Sequence, residues 1–357
     1  TTYVSLLEDG VRQPSRETVL KLGQAFYPDG NLAAQDDLLV LAGFSPLHAQ
    51  SPVLQQELTE IHALALAEDG DNFKAFSALL ISLIKSGRLE QAQAQLQQGF
   101  QTFSEHVQLQ SLLAMLELSK GRHAAAILTQ EQAIGHFRTR PEPGVQMSDL
   151  LLNLGTMYFI KACDGAESPA QAIEDLEQAR SLLKQAAGLA PDDVYLLDEY
   201  ARASFNLAFL LSGDLAIACW QETIAGFRAV LALENKQQLG LPMLKEATVF
   251  LALAYAKGGQ LAEAELSLQL IGSFCPQYWL LHYVEACCLC LKFNREPSPQ
   301  EAWLLKALQQ LVQALEDPDP HNRTRLEAPQ DPDFEVLHRL QPIAFASIFQ
   351  STKETNA

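Results

Sequence analysis

The chain has 357 residues, of which 48% are hydrophobic and 19% charged, leaving a formal net charge of −18. Such an acidic chain repels phosphate backbones at long range, so any nucleic-acid contact is confined to one small module. Six cysteines sit in apolar helical stretches rather than at disulfide-scaffold spacings, which excludes a stapled secreted domain and fits a reduced, cytoplasmic setting. The apolar stretch around Ala247–Tyr255 is short and ends at Lys257 and two glycines, so no membrane span and no membrane partner are expected. No signal peptide is visible, and because the chain opens on Thr1 an upstream segment is expected.

In chain order, Thr2 to Glu8 reads as a short helix with Val4 and Leu7 on one face, stopped by Gly10. Ser15 is a good N-cap for the next helix, whose buried side is Val19, Leu20, Leu22 and Phe26. A further helix runs from Leu32 to Leu41 and ends at Gly43.

The run Tyr3-Val4-Ser5-Leu6-Leu7-Glu8-Asp9-Gly10, then Arg12, Pro14-Ser15, Thr18-Val19, Leu22 and Ala42-Gly43-Phe44, has the spacing of a known DNA-binding module. It resembles the second half of a lambda-repressor-like (Xre-type) helix-turn-helix domain over residues 1–47. The resemblance implies that Thr1 and Thr2 open the recognition helix, with Ser5 one turn on, facing base edges. Arg12 and Arg16 would touch phosphates. The two helices that precede the recognition helix in that family are absent, so the chain as it stands is expected to bind DNA poorly. The alternative for this segment is a helical cap at the start of a stack of helix pairs.

From Pro52 onward the chain repeats helix, turn, helix. Leu154-Gly155-Thr156-Met157-Tyr158 matches an L-G-x2-Y step, and Leu251-Ala252 with Tyr255 matches it with Ala for Gly. Gly259, Ala264, Leu268 and Pro276 come after it at matching offsets, as do Ala179, Leu183, Ala186 and Pro191 in an earlier unit. Gly87 and Gly121, and Ala92 and Ala126, each lie 34 residues apart. These residues resemble the tetratricopeptide repeat, whose 34-residue unit is a helix pair. Small residues let two helices cross closely, and each pair leaves an apolar side that the next covers.

The expected fold is all-α: a tetratricopeptide-type right-handed α-α superhelix (solenoid) over residues 52–317, preceded by the truncated helix-turn-helix segment. Six pairs are predicted, near 72–104, 106–138, 146–190, 194–234, 243–275 and 278–316. Asp164 to Pro169 is an insertion in the third pair, and Trp220 and Phe227 break the small-residue rhythm of the fourth. In the sixth, Arg295-Glu296-Pro297-Ser298-Pro299 replaces the turn. Asp317-Pro318-Asp319-Pro320 ends the last helix, so residues 318–357 form a capping segment and tail. Phe334, Leu337, Leu340, Ile343, Phe345 and Ile348 are its predicted capping contacts, and the last few residues are expected to be disordered.

The resemblance implies that the first helix of each pair lines a concave groove. Asn153 and Asn206 each precede the Leu-Gly or Leu-Ala step, where an amide can donate to and accept from a peptide backbone. Asp149, Arg202, Phe205, Phe209, Phe250 and Leu253 are expected on the same face, a mixture suited to an extended peptide with apolar side chains. The alternatives are an Asn bonded to a neighbouring turn and Phe residues in the core. Lys74, Lys85 and Arg202 are too scattered for a carboxylate clamp.

No cofactor, metal site or catalytic constellation is expected. Cys287, Cys288 and Cys290 share one helix at spacings that point apart, and the eight histidines are scattered. Phosphate-loop and nucleophile-elbow motifs are missing. The reading is therefore a binding protein, not an enzyme. One version is a bacterial transcription regulator with a DNA-binding head and a peptide- or protein-sensing repeat body, working as a homodimer on palindromic sites. The other is a protein-interaction scaffold with a degenerate head.

Overall fold

A computed structural model of the protein describes residues 72–103, 106–317, 322 and 324–350. The expected helix-turn-helix segment, with Thr1, Thr2, Ser5, Arg12 and Arg16, lies outside these residues, as does the predicted disorder of the last few. Every described element is a helix, with no strand among the described residues. The chain divides into two compact units, Thr1–Val145 and Gln146–Ala357.

The first unit holds α1 (Asn72–Lys85), α2 (Leu89–Phe103), α3 (Val107–Ser119) and α4 (His123–Thr139). Both pairs turn in the same way. Gly87 has φ 74° and Gly121 φ 73°. In each turn the glycine N–H bonds back three residues, and the next N–H bonds back five, from Arg88 to Leu83 at 2.9 Å and from Arg122 to Glu117 at 2.9 Å. This left-handed helix stop satisfies carbonyls that would otherwise be orphaned, and it favours glycine at its pivot. Phe76, Leu80, Leu96, Leu109 and Leu116 form one core across three helices. Inside the second pair, the buried Ser111 Oγ donates to Gln130 Oε1 at 2.7 Å.

The second unit holds four further pairs: α5 (Met147–Asp164) with α6 (Pro169–Leu189), α7 (Val194–Leu210) with α8 (Gly213–Ala232), α9 (Gly240–Lys257) with α10 (Leu261–Phe274), and α11 (Trp279–Arg295) with α12 (Glu301–Glu316). The turn between α9 and α10 repeats that of the first unit, with Gly259 at φ 87° and Gln260 N–H bonding to Tyr255 O at 2.8 Å. At Gly155 the helices cross so closely that a Cβ would sit 2.7 Å from Leu183 Cγ. Ala252, fully buried, takes the corresponding place in α9. These turns and crossings are those of tetratricopeptide-type pairs.

The insertion after α5 is resolved by capping chemistry. Gly165 closes α5, then Ser168 Oγ accepts from Gln171 N at 3.2 Å and Pro169 opens α6. In the last pair, where prolines replace the glycine turn, Arg295 at the end of α11 donates to the Ala256 and Lys257 carbonyls at the end of α9. A cation there opposes the negative end of the helix dipole.

Two stretches, Gly213–Ala232 and Lys236–Lys257, are long and apolar enough to cross a membrane by length and composition. This corrects the expectation that no run reaches that length. Their apolar character has a packing cause: Trp220, Ile224, Phe227, Val249 and Ala252 are buried in one core.

The C-terminal segment comprises α13 (Thr324–Glu327), a 3-10 turn (Pro332–Phe334), α14 (Glu335–Leu340) and α15 (Pro342–Gln350). Phe334, Leu337 and Phe345 are buried in the same core. Leu340 and Ile343, expected as capping contacts, are instead 47% and 86% exposed.

Candidate functional site

The first helices α7, α9 and α11 present residues at i, i+3 or i+4 spacing, which stacks side chains along one face. Phe205 and Phe209 on α7, Phe250 and Leu253 on α9, and Leu280, Tyr283 and Val284 on α11 meet along a cleft of about 580 Å³. Its remaining wall comes from the C-terminal segment: Glu327, Gln330, Asp331 and Pro332. The rings pack together, with Phe205 stacked on Phe250 at 4.6 Å and edge-on to Phe209 at 5.0 Å. Trp220, from α8, braces Phe209 at 5.0 Å. Phe205 and Leu253 are buried and form the floor, whereas Phe209 is 42% exposed. Phe209 thus leaves part of an apolar ring open at the cleft mouth.

The sequence-predicted residues divide. Phe205, Phe209, Phe250 and Leu253 line the cleft, and Arg202 lies beside it with its guanidinium 5.5 Å from the Phe250 ring. Arg202 is bound to its own chain, at 2.6 Å to Asp198 and 2.8 Å to Glu246. Burial disfavours its charge, but the two carboxylates outweigh that and raise its pKa. Burial pushes the Asp198 and Glu199 carboxyls up. Asn206 spends its amide N–H on the Arg202 carbonyl, one turn back in α7, at 2.9 Å. Asn153 is half-buried and Asp149 exposed on α5, and neither they nor Asn206 line the cleft. The expected asparagine pair is therefore not part of the aromatic cleft.

Sequence reading missed the tail's part in the site. Lys257, one turn beyond Leu253, forms a largely buried ion pair with Asp333 and lies 5.1 Å from the Phe209 ring. Tyr283 Oη donates to Asp331 Oδ2 at 2.6 Å, and its ring meets Phe334 edge-on at 5.4 Å. Asp331 Oδ1 also accepts the Asp333 N–H at 2.8 Å. The only advance signal was the Asp331-Pro332-Asp333-Phe334 run, two carboxylates before an aromatic.

Potential ligand atoms of Cys287, Asp331 and Asp333 lie within 4.8 Å of one another. Burial and the two aspartates push the Cys287 thiol up, so it keeps its proton. The chain meets Asp333 with its own ammonium, Lys257, and the cluster works as a latch between α9, α11 and the tail. Cys288 and Cys290 are also buried, and burial raises the Cys290 thiol to about 12.

A second cleft, about 620 Å³, opens between α10 and α11 and is lined by Trp303, Lys292 and Lys306. Its two lysines are paired at 2.6 Å with Glu265 and 2.9 Å with Glu285. It lacks the clustered rings of the first cleft.

No protein-family model matches the chain. No curated protein matches it either. Solved structures that match include tetratricopeptide repeat proteins. One from Parabacteroides merdae is 12% identical and covers 87% of this chain and 95% of its own, with TM-score 0.42. TTC0263 of Thermus thermophilus is 20% identical and covers 60% of this chain and 98% of its own, with TM-score 0.41. YrrB, described as having an unusual peptide-binding site, is 17% identical and covers 58% of this chain and 88% of its own, with TM-score 0.40.

Proposed function

We propose that this protein is a non-catalytic binding module that holds a peptide or protein segment in the cleft formed by α7, α9 and α11. The observation that carries this reading is the aromatic cluster around Phe209, which is open to solvent at the mouth of a cleft with a buried apolar floor. Ligand sites are concave and mostly apolar, with a few placed polar groups, and this cleft has that make-up. Random-peptide selection on the whole chain is the test. The reading requires enriched peptides whose binding Phe209→Ala removes while the helical circular dichroism spectrum stays unchanged.

A finer reading makes the module the sensing body of a transcription regulator, with residues 1–47 as part of its DNA-binding head. The sequence run from Tyr3 to Phe44 favours it. Selection from random double-stranded DNA, using a protein with upstream residues restored, tests this separately. One enriched motif, lost with Thr2→Ala and Ser5→Ala, would support it; no enrichment at low salt would leave a protein-interaction scaffold.

A further inference from the structure

We infer that Lys257 and Tyr283 are positioning residues that make the aromatic cleft depend on the docked tail, so that a bound segment and the tail hold each other in place. This rests on the binding reading above and adds the condition under which that cleft binds.

Each of the two residues touches the cleft on one side and the tail on the other. Tyr283 lines the cleft, and its hydroxyl donates to Asp331 at 2.6 Å. The Lys257 ammonium lies 5.1 Å from the Phe209 ring and is paired with Asp333. Both tail partners belong to one short run, which Asp331 tightens by accepting the Asp333 N–H at 2.8 Å. Asp331 and Pro332 of that run are also cleft wall. Phe205 and Trp220 meet the Phe209 ring edge-on, each at 5.0 Å, and the Lys257 ammonium is its third neighbour. Unseating the tail would remove a wall and take from Lys257 the carboxylate that keeps its ammonium beside Phe209. The flexible lysine stem would then carry the charge to water.

The tail is suited to such a change. Its helices have four, six and nine residues, too short to persist without packing. It is anchored by the buried Phe334, Leu337 and Phe345 and by the two polar contacts. Terminal elements of this kind open at lower free energy than a core. A segment that binds only the seated form favours that form in return. The contacts point to seating rather than displacement: a ligand that pushed the tail out would expose Phe334 and leave Lys257 unpaired.

The test uses the whole chain and a peptide selected on it. Hydrogen–deuterium exchange is followed by mass spectrometry on fragments covering α14 and α15, which do not line the cleft. Saturating peptide should slow exchange there about ten-fold, an ordinary size for coupling between sites, while α6 stays unchanged. Lys257→Met should weaken peptide binding about ten-fold, and Lys257→Arg, which can still pair with Asp333, should keep most of it. Tyr283→Phe, which keeps the ring, should weaken it less. Melting curves check that each variant is folded at the assay temperature. Unchanged exchange in the tail with peptide bound overturns the inference and leaves the binding reading standing. So does binding by Lys257→Met and Tyr283→Phe as tight as that of the unaltered chain. Faster exchange with peptide bound also overturns it, since the tail would then be the ligand's competitor. A selection that yields no peptide overturns both readings.

Discussion

The Tyr283 hydroxyl donates to Asp331 at 2.6 Å, so the first helix of the last pair grips a residue 48 positions further along the chain. With the Lys257–Asp333 pair, it makes the tail a wall of the cleft rather than a loose end. Tyr283→Phe removes one hydrogen bond and should cost about 1 kcal/mol. Lys257→Ala leaves Asp333 buried and uncompensated, for which about 3 kcal/mol is expected. Chemical denaturation of the two variants measures this order, and equal losses would count against a buried latch.

Two glycine substitutions separate close packing from intrinsic helix preference. A Cβ at Gly155 would lie 2.7 Å from Leu183 Cγ, whereas one at Gly135, in α4, meets nothing within 4 Å. Gly155→Ala should destabilise by about 1–3 kcal/mol through overpacking. Gly135→Ala should stabilise by up to about 1 kcal/mol. Opposite shifts in the denaturation midpoint are the expected result.

The first helices of two pairs are capped from a distance. Glu142 Oε1 accepts the Val107 N–H at 3.0 Å, and Asp317 Oδ2 accepts that of Trp279 at 3.0 Å, in both cases from just beyond the second helix of the same pair. A carboxylate there satisfies an orphan donor and favours the positive helix end. Asp317→Ala should cost about 1 kcal/mol, and Asp317→Asn less, since an amide oxygen still accepts. Thermal melts of the two variants give the comparison.

Stability should rise in mild acid. Burial pushes the carboxyls of Asp198, Glu199 and Asp333 up, and partial burial with the Asp193 charge does so for Asp149. Between the ordinary carboxylate range and these raised values the folded chain binds more protons than the unfolded one, so stability grows as pH falls through that window. Glu117, lowered by its hydrogen bond to Arg122, acts oppositely: its contribution is present above the unfolded value and lost as pH falls through the folded one. Four raised groups among the described residues outweigh one lowered group, and the net charge of −18 relaxes in the same direction. Calorimetry should give a higher Tm just above the ordinary carboxylate range than at neutral pH. A steady fall in Tm over that interval would contradict the assignment.

The helix pairs were legible because their signals are local. A glycine at φ above 70° in the turn between paired helices and a small residue at a close crossing leave marks at fixed spacing, as Gly87, Gly121 and Gly155 do. Phe205, Phe209, Phe250 and Leu253 were placed on one face by the resemblance to tetratricopeptide repeats, in which first helices line the groove; helical period alone aligns only residues of the same helix. The tail contacts were not legible. Lys257 and Asp333 are separated by 76 positions, and neither residue type at its position announces the other. The period also could not say how Asn206 would use its amide, because bonding to its own helix and bonding to a ligand require the same residue.

The central claim is that a polypeptide segment binds across Phe209. The most direct measurement places a photo-crosslinking phenylalanine analogue at position 209 and irradiates the whole chain with its selected peptides. The account predicts crosslinks that unlabelled peptide competes away and that are absent when the analogue stands instead at Ile343, which is 86% exposed and does not line the cleft. Equal crosslinking at both positions, or none at position 209 while the peptide remains bound, would place the ligand elsewhere and contradict the account.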